Sequence, residues 1–450
     1  MEKCQWVMVM KTLRIKDNAL IHKEEFIKLK QLTEKISNKT LEKLEQEGIF
    51  VFPEQVKEAK DLTKDQMVLQ SLNEYYRSGN VMGFLGYGKE KLVIESRFSL
   101  GKQDYFFQYL LETVLELPNL LDLHTSMNRD EAQLDLFVFL FPYYLKLAMR
   151  KGLYKAYQRQ EYNDANVKGS IDVERHIRSN TPFIGKVAYH QREFSYDNYL
   201  MQLIRHTIEC IKKRAYGKQL LGKVKDEVSR IIEVTQSYTY QDRGKIITEN
   251  KHHPVRHAYY HEYGTLQRLC MMILQGEKQQ IGSGVLHVHG MIFDGAWLWE
   301  QYVYSLIRNQ FYHPMNKGRE GAQYLFNESI GLIYPDFISK DNQNPMIADA
   351  KYKPFQNIGN KDYLQLLAYM FRFDAKKGFF LYPDSYGKNN LELMMNRGST
   401  YKENVEARTD VKVIKCGLHI PSEAANYETF KYQIKESEQF FKQQLFNQIL

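Results

Sequence analysis

Only four cysteines occur among the 450 residues, Cys4, Cys210, Cys270 and Cys416, and no two are spaced as C-x-x-C. This scarcity excludes the dense disulfide framework of secreted scaffolds and fits a reducing, cytoplasmic setting. Long apolar runs are missing too. The N-terminal segment MEKCQWVMVMKTLRIKD carries an apolar run too short for a signal-peptide core, and no small-residue cleavage site follows it. The most hydrophobic stretch, Leu134 to Met149, is shorter than a bilayer span and contains Asp135, Pro142 and Lys146. It reads as a buried helix, and no membrane partner is expected. Internal repeats, low-complexity tracts and Pro/Gly linkers are likewise lacking.

What is present suits a folded, multidomain chain. Hydrophobic residues make up 43% and charged residues 26%, so extensive disorder is excluded, and the length fits two or three globular units. Most of the 32 Tyr and 25 Phe are expected in cores. The formal charge of +8 favours a polyanionic partner without identifying one.

Residues 1–105 mix a charged helical stretch, Lys23 to Glu47, with strand-like runs at Gly48 to Pro53 and Lys91 to Phe98, which predicts an α+β unit. Residues 106–285 read as mainly helical, with KGSIDVERHI and GKVAYHQREFS as short extended segments. Residues 286–450 change again to α, β, β, α, β, beginning with a helix near Trp297 to Asn309 and closing with an amphipathic helix from Tyr427. Tyr386 to Asp410, charged and glycine-containing, reads as a long surface loop.

The chemistry concentrates in GLIYPDFISKDNQNPMIADAKYK, Gly331 to Lys353. Leu332 to Ser339 and Met346 to Lys353 are strand-like around the turn formers KDNQNP, so they are expected to pair as a hairpin. Strand alternation puts Asp349 and Lys351 on one face, with Ala348, Ala350 and Tyr352 on the other, and brings Asp336 close to Asp349. Two neighbouring aspartates repel unless a cation or a shared proton sits between them. A hard divalent ion, Mg²⁺ or alternatively Mn²⁺, removes the conflict and can polarise a phosphodiester or activate water, with Lys351 placed to orient that water or to stabilise charge on the phosphate. A D-x-K segment alone is more often a solvated salt pair. Here Pro335 precedes Asp336, a helix with Gln365 in KDYLQLLAYM follows, and Glu300 in WLWEQYVYSLI lies on a helix that could aim a third carboxylate at the site.

The PD…D-x-K pattern resembles the PD-(D/E)xK nuclease core, an α-β-β-β-α-β restriction-endonuclease-like unit, with GFFLYP as the strand after the second helix. DAKYK followed by Gln365, Ala368 and Tyr369 and then a strand ending in Tyr-Pro looks like the McrC family of restriction subunits. GSIDVERHI and REFSYDN are similar to that family's middle region, and the resemblance covers roughly residues 70–450. It implies a multidomain α/β protein: a partner-docking domain over 1–105, a helical scaffold over 106–285 and a nuclease domain over 286–450. It also implies a Mg²⁺-dependent DNA endonuclease in anti-phage restriction, with Asp336 and Asp349 as metal ligands, the Ala350 carbonyl and Glu300 as further ligands, Lys351 as catalytic lysine and Gln365 in support. The partners implied are double-stranded DNA and an AAA+ GTPase of McrB type, whose GTP hydrolysis the chain would stimulate while binding no nucleotide itself. A nuclease acting alone in repair or mobile-element biology, and a GTPase-activating subunit without catalysis, are the competing readings.

Two segments imitate other sites. GFLGYGKE, Gly83 to Glu90, matches most of a phosphate-binding loop, but Glu90 replaces the required hydroxyl and the strand-like KLVIESRF replaces the required helix. His252, His253, His257 and His261, with His287 and His289, include zinc-like spacings, yet no cysteine or carboxylate completes a zinc signature.

Overall fold

The computed structural model describes residues 11–52, 66–101, 103–115, 129–279, 288–314, 323–387, 390–398 and 405–447. The chain forms two compact units, one of residues 1–122 with 284–450, the other of residues 123–283.

The first unit holds two larger sheets. One contains β1 (Lys11–Lys16), β2 (Phe50–Phe52), β3 (Val81–Tyr87), β4 (Glu90–Glu95) and β5 (His289–Asp294) in the order β1-β4-β3-β5-β2. Its apolar side packs Leu32, Ile36, Leu44, Val51, Leu85 and Ile94 into one core. The glycine-rich GFLGYGKE is the β3–β4 antiparallel hairpin: Gly88 takes a left-handed φ of 57° at the turn, and Glu90 opens a strand, so no helix N-terminus is there to receive a phosphate. Lys23 to Glu47 is not one helix. It breaks into a 3₁₀ turn (Lys23–Leu29) and two short helices, Lys30–Ile36 and Leu41–Gln46. Left-handed Asn38 and the cap Thr40, which accepts from the Lys43 N–H at 3.3 Å, stand between them.

The second sheet contains β6 (Phe311–Tyr312), β7 (Phe337–Ser339), β8 (Met346–Ala350), β9 (Lys377–Asp384), β10 (Leu391–Arg397) and β11 (Glu406–His419), ordered β6-β7-β8-β9-β11-β10. β8, β9 and β11 are parallel, and β6 and β7 extend the sheet antiparallel beyond β8. Besides the two short helices, four longer ones among the described residues accompany the sheets: α1 (Tyr105–Val114), α2 (Gly295–Ile307), α3 (Asn360–Arg372) and α4 (Tyr427–Asn447). Part of the expected loop from Tyr386 to Asp410 lies outside the described residues; of the rest, 391–397 form β10 and 406–410 the start of β11, paired antiparallel and mostly exposed.

α2 starts where Asp294 accepts from the Trp297 N–H at 2.8 Å. A Cβ at Gly295 would lie 2.7 Å from the Tyr352 ring, so only glycine lets this helix start against the residue after Lys351. Fully buried Trp299 donates its indole N–H to the Leu381 carbonyl at 3.0 Å, tying α2 to β9. Tyr109 and Tyr302 both donate to Glu438 Oε1, at 2.8 and 2.7 Å, joining α1, α2 and α4.

In the second unit, helices Arg129–Met149, Tyr199–Lys212 and His261–Gln279 accompany a three-stranded sheet of Ala156–Asp164, Val187–Ser195 and Ser170–Ile171. The hydrophobic stretch ending at Met149 is a helix that buries Val138, Leu140, Phe141, Tyr144 and Leu145 while exposing Tyr143 and Lys146. KGSIDVERHI is only briefly extended. Asp172 accepts from the Arg175 N–H at 3.1 Å and caps a helix over Val173–Ser179, a side-chain cap that outcompetes the strand. Among the described residues no helix is long and apolar enough to cross a membrane.

Asp104 caps α1 and also braces the β4 end, accepting from the N–H groups of Phe107 (3.0 Å) and Ser96 (2.5 Å). Burial pushes its carboxyl up to about 6. A carboxyl whose folded value exceeds its unfolded one stabilises the fold at low pH, and that contribution is lost as pH rises from about 4 through about 6. Asp104→Asn, which still caps but cannot ionise, is therefore expected to gain stability relative to wild type between pH 4 and pH 7. Asp104→Ala should cost about 1–2 kcal/mol at pH 4, where the cap is lost, and by the same linkage less at pH 7. Urea unfolding of the three proteins at both pH values checks this; equal pH dependence of wild type and the Asn variant would contradict it.

Candidate active site

Antiparallel pairing of Phe337 with Ala348 and Ile338 with Ile347 carries Asp336 to the position opposite Asp349. The strand-like run Leu332 to Ser339 is not continuous, however. Ile330–Ile333 pairs with Gln323–Phe326 in a separate hairpin, and only Phe337–Ser339 joins β8. Pro335, which has no N–H to give a ladder, falls at the break. On β8, Ile347 packs with Leu366 and Met370 of α3, so alternation sends Asp349 to that face and Ala348 to the other. The Lys351 N–H donates to the Leu381 carbonyl at 2.9 Å, which keeps the chain extended past β8 and holds Lys351 on the Asp349 side.

The side chains converge at this strand end. Asp336 Oδ2 accepts from the Ala350 N–H at 2.8 Å. Asp349, 2% exposed, places Oδ2 2.5 Å from Lys351 Nζ, yet that oxygen accepts no hydrogen bond of adequate geometry. Lys351 Nζ also donates to Gln365 Oε1 at 3.3 Å and lies 3.7 Å from Asp362 Oδ1. Gln365 in turn donates to the Tyr369 hydroxyl at 2.7 Å. Asp362 is held by Lys353 Nζ at 2.8 Å and by the Gly359 N–H at 3.1 Å. On the other flank His313 Nδ1 donates to the Asp336 carbonyl at 2.8 Å, while its Nε2 lies 3.3 Å from Glu300 Oε1.

The structure thus gathers Asp336, Asp349, Lys351 and Gln365 around one point, brings in Ala350 through its backbone, and links Glu300 to Asp336 through His313. The sequence reading missed His313, Asp362 and Tyr369. Tyr369 was in view as a family motif residue without a role. Asp362 carried a local signal, since a carboxylate at the third position of α3 can accept from the N–H of the residue before the helix, here Gly359. His313 carried none, because it reaches Asp336 only across the sheet.

Charge is the dominant feature. Asp336 keeps part of its surface exposed, but protein atoms crowd its carboxyl, and this desolvation pushes its pKa well above the usual range, with Asp349 and Glu300 adding to the rise. Burial likewise raises Asp349, against the opposing pull of Lys351. For Lys351 burial acts to lower the pKa, but the Asp349 and Asp336 carboxylates override it and the ammonium is held above its ordinary value. Four carboxylates (Glu300, Asp336, Asp349, Asp362) face two ammonium groups (Lys351, Lys353), an excess of negative charge.

These donors fit a hard divalent cation. The carboxylates of Asp336 and Asp349 are oxygen ligands, Asp349 Oδ2 is buried with an unmet acceptor, and an extended residue directs its carbonyl to the same edge as its N–H, which puts the Ala350 carbonyl on the Asp336 side. Among the described residues no three His, Cys, Asp or Glu side chains are grouped so as to hold a metal ion by themselves. Mg²⁺ does not need such a group, because it commonly takes one or two carboxylates and retains water. The histidines of the second unit make local contacts instead: His253 and His261 lie against the Glu249 and Ala258 carbonyls, and His257 accepts from the Tyr259 N–H. His287 lies outside the described residues.

Residues 76–383 match the model of the family described as McrBC 5-methylcytosine restriction system component. No curated protein matches. Among solved structures, the chain is similar to one from Thermococcus gammatolerans described as a refined half-complex of a tetradecameric assembly of McrB AAA+ hexamers with bound McrC, at 15% identity and a TM-score of 0.45, covering 95% of this chain and all of that one. A second, the Thermococcus gammatolerans McrBC complex, aligns at 13% identity and a TM-score of 0.30 over 66% of this chain and 87% of that one. The family match spans more than half of the sequence and includes every residue of the site built above, so the chain belongs to the family of McrBC 5-methylcytosine restriction system components.

Proposed function

We propose that this chain is the nuclease subunit of a McrBC-type anti-phage system: a Mg²⁺-dependent, cytoplasmic DNA endonuclease that works with an AAA+ GTPase of McrB type and stimulates its GTP hydrolysis. The observation that carries the catalytic half is the convergence of half-buried Asp336 and buried Asp349 with the Lys351 ammonium, in a site with more carboxylates than ammonium groups. The succession α2, β6, β7, β8, α3, β9, with Asp336 and Asp349 on adjacent strands, supports a PD-(D/E)xK nuclease core. Family membership supports the assembly half.

In this reading Asp336, Asp349, the Ala350 carbonyl and Glu300 hold the ion, with Mn²⁺ as a substitute. Bound there, the ion would neutralise the carboxylates and polarise the scissile phosphodiester. Lys351, kept protonated by its carboxylate neighbours, stabilises negative charge developing on the phosphate rather than acting as a base. Gln365 holds the ammonium at the site through Oε1 and is itself fixed by Tyr369. Asp362 and Lys353 form a flanking pair that keeps Asp362 from capturing Lys351, since Asp362 is 2.8 Å from Lys353 and 3.7 Å from Lys351.

Asp336→Ala and Asp349→Ala are each expected to abolish DNA cleavage by the reconstituted complex while the thermal unfolding of the chain stays close to wild type. Relieving buried like charge offsets the hydrogen bond or ion pair that each substitution removes. Wild-type cutting by either variant would remove the metal-site assignment.

Lys351→Ala is expected to slow cleavage about 100-fold or more, as for other single electrostatic groups at a reacting phosphate, and to leave stimulated GTP hydrolysis near wild type. Both activities are measured on the same complexes. An equal loss of both would mean that Lys351 serves assembly; DNA cutting by the purified chain with no nucleotide or partner would favour a nuclease that acts alone.

A further inference from the structure

The β6–β7 ladder stops for a chemical reason. Phe311 pairs with Ser339 and Tyr312 with Ile338, so the next hydrogen-bonding pair in this register sets Pro314 opposite Asp336. The Lys340 N–H to Gln310 carbonyl bond, 2.7 Å, fixes the parity: 310 and 340 are a hydrogen-bonding pair of the ladder, and 314 and 336 would be the corresponding pair at the other end. Proline has no N–H, so the Asp336 carbonyl loses its backbone donor at this point. The side chain one residue earlier supplies it, because His313 Nδ1 donates to that carbonyl at 2.8 Å.

His313 is well placed to be a fixed donor. Its side chain is only 6% exposed, and its ring lies between Tyr304 of α2 (centroids 5.1 Å apart) and Phe337 of β7 (5.3 Å). The Nε2 edge faces the next turn of α2, 3.3 Å from Glu300 Oε1 and 3.1 Å from the Gln301 amide nitrogen. Asp336 is thereby gripped at both ends, its carboxylate by the Ala350 N–H and its carbonyl by His313. Glu300 is set beside the same imidazole.

We propose that His313 is a positioning residue of the ion site: it substitutes for the ladder bond that Pro314 cannot make, and so fixes Asp336, whose carboxylate would be an oxygen donor for a divalent cation. This inference rests on the reading of the site as a metal-dependent nuclease. Residues that orient metal ligands from behind typically change metal affinity by about 10- to 100-fold when removed. The geometry also specifies which substitute works. An asparagine amide nitrogen falls near the position of imidazole Nδ1, whereas a glutamine amide nitrogen reaches toward Nε2.

The test is Mn²⁺ binding to the full-length chain by calorimetry, with thermal unfolding of each variant in the absence of metal as the control for folding. Wild type is expected to bind Mn²⁺, His313→Ala to bind at least about tenfold more weakly, His313→Asn to remain within about threefold of wild type, and His313→Gln to resemble His313→Ala. If wild type binds and His313→Ala binds equally well, the positioning role is wrong while the nuclease reading stands. If His313→Asn unfolds like wild type yet binds as weakly as His313→Ala, the donated hydrogen bond is not what matters and the inference also falls. If wild type binds no Mn²⁺, the metal-site reading fails and this inference fails with it.

Discussion

Two carboxylates, Asp336 and Asp349, are forced into proximity by the register of β7 against β8, where surrounding protein atoms leave them poorly solvated. Much of the surrounding structure answers that conflict. Lys351 is folded back on Asp349, the Ala350 N–H is turned to Asp336, and Lys353 takes up Asp362, which would otherwise add a further negative charge at close range. Even so the carboxylates are pushed toward their neutral forms, because burial outweighs the available positive charge. A fold that only needed stability would replace such a pair with apolar residues of similar size. The divalent cation proposed for the site would neutralise the pair and offset that cost.

Rigidity around the site comes from elements far apart in sequence. Tyr352, next to Lys351, turns its ring into the first sheet's surroundings, where its hydroxyl shares a hydrogen bond with Ser96 Oγ (2.8 Å) and its ring meets Phe98. Arg97 donates to the Tyr352 carbonyl at 3.0 Å and lies over its ring. The opposite faces alternating along residues 349–352 are therefore used for different purposes, one for charge and one for anchorage. α2 closes over the Ala348 side, pinned to β9 by the Trp299 indole, and α3 covers the Asp349 side with Gln365 and Tyr369. Because the N-terminal sheet takes in β5 from beyond residue 288, its hairpin and the Asp336–Asp349 site share a single compact unit.

The site was more legible in the sequence than its framework was. Asp349 and Lys351 could be read from period-two alternation, and Asp336 from its placement across a turn, because these relations are local. The Gly83 to Glu90 hairpin was legible for the same reason: a glycine turn between alternating strands outweighs a motif match. Pairings that depend on distant partners were not legible. β10 and β11 carry charged, exposed residues that resemble a loop until each has a neighbour, and Val173–Ser179 becomes a helix only because Asp172 caps it. The break at Pro335 could have been foreseen from proline's missing donor; the matching defect at Pro314, and the imidazole that fills it, required the register of β6.

The buried carboxylate pair can be examined directly by soaking crystals of the full-length chain in Mn²⁺ and recording anomalous diffraction. An anomalous peak about 2.2 Å from carboxylate oxygens of both Asp336 and Asp349, with the Lys351 ammonium moved off Asp349 Oδ2, is the expected result. Crystals that bind Mn²⁺ only elsewhere, with Lys351 still seated on Asp349, would contradict the central claim that these two aspartates are kept together to hold a metal ion.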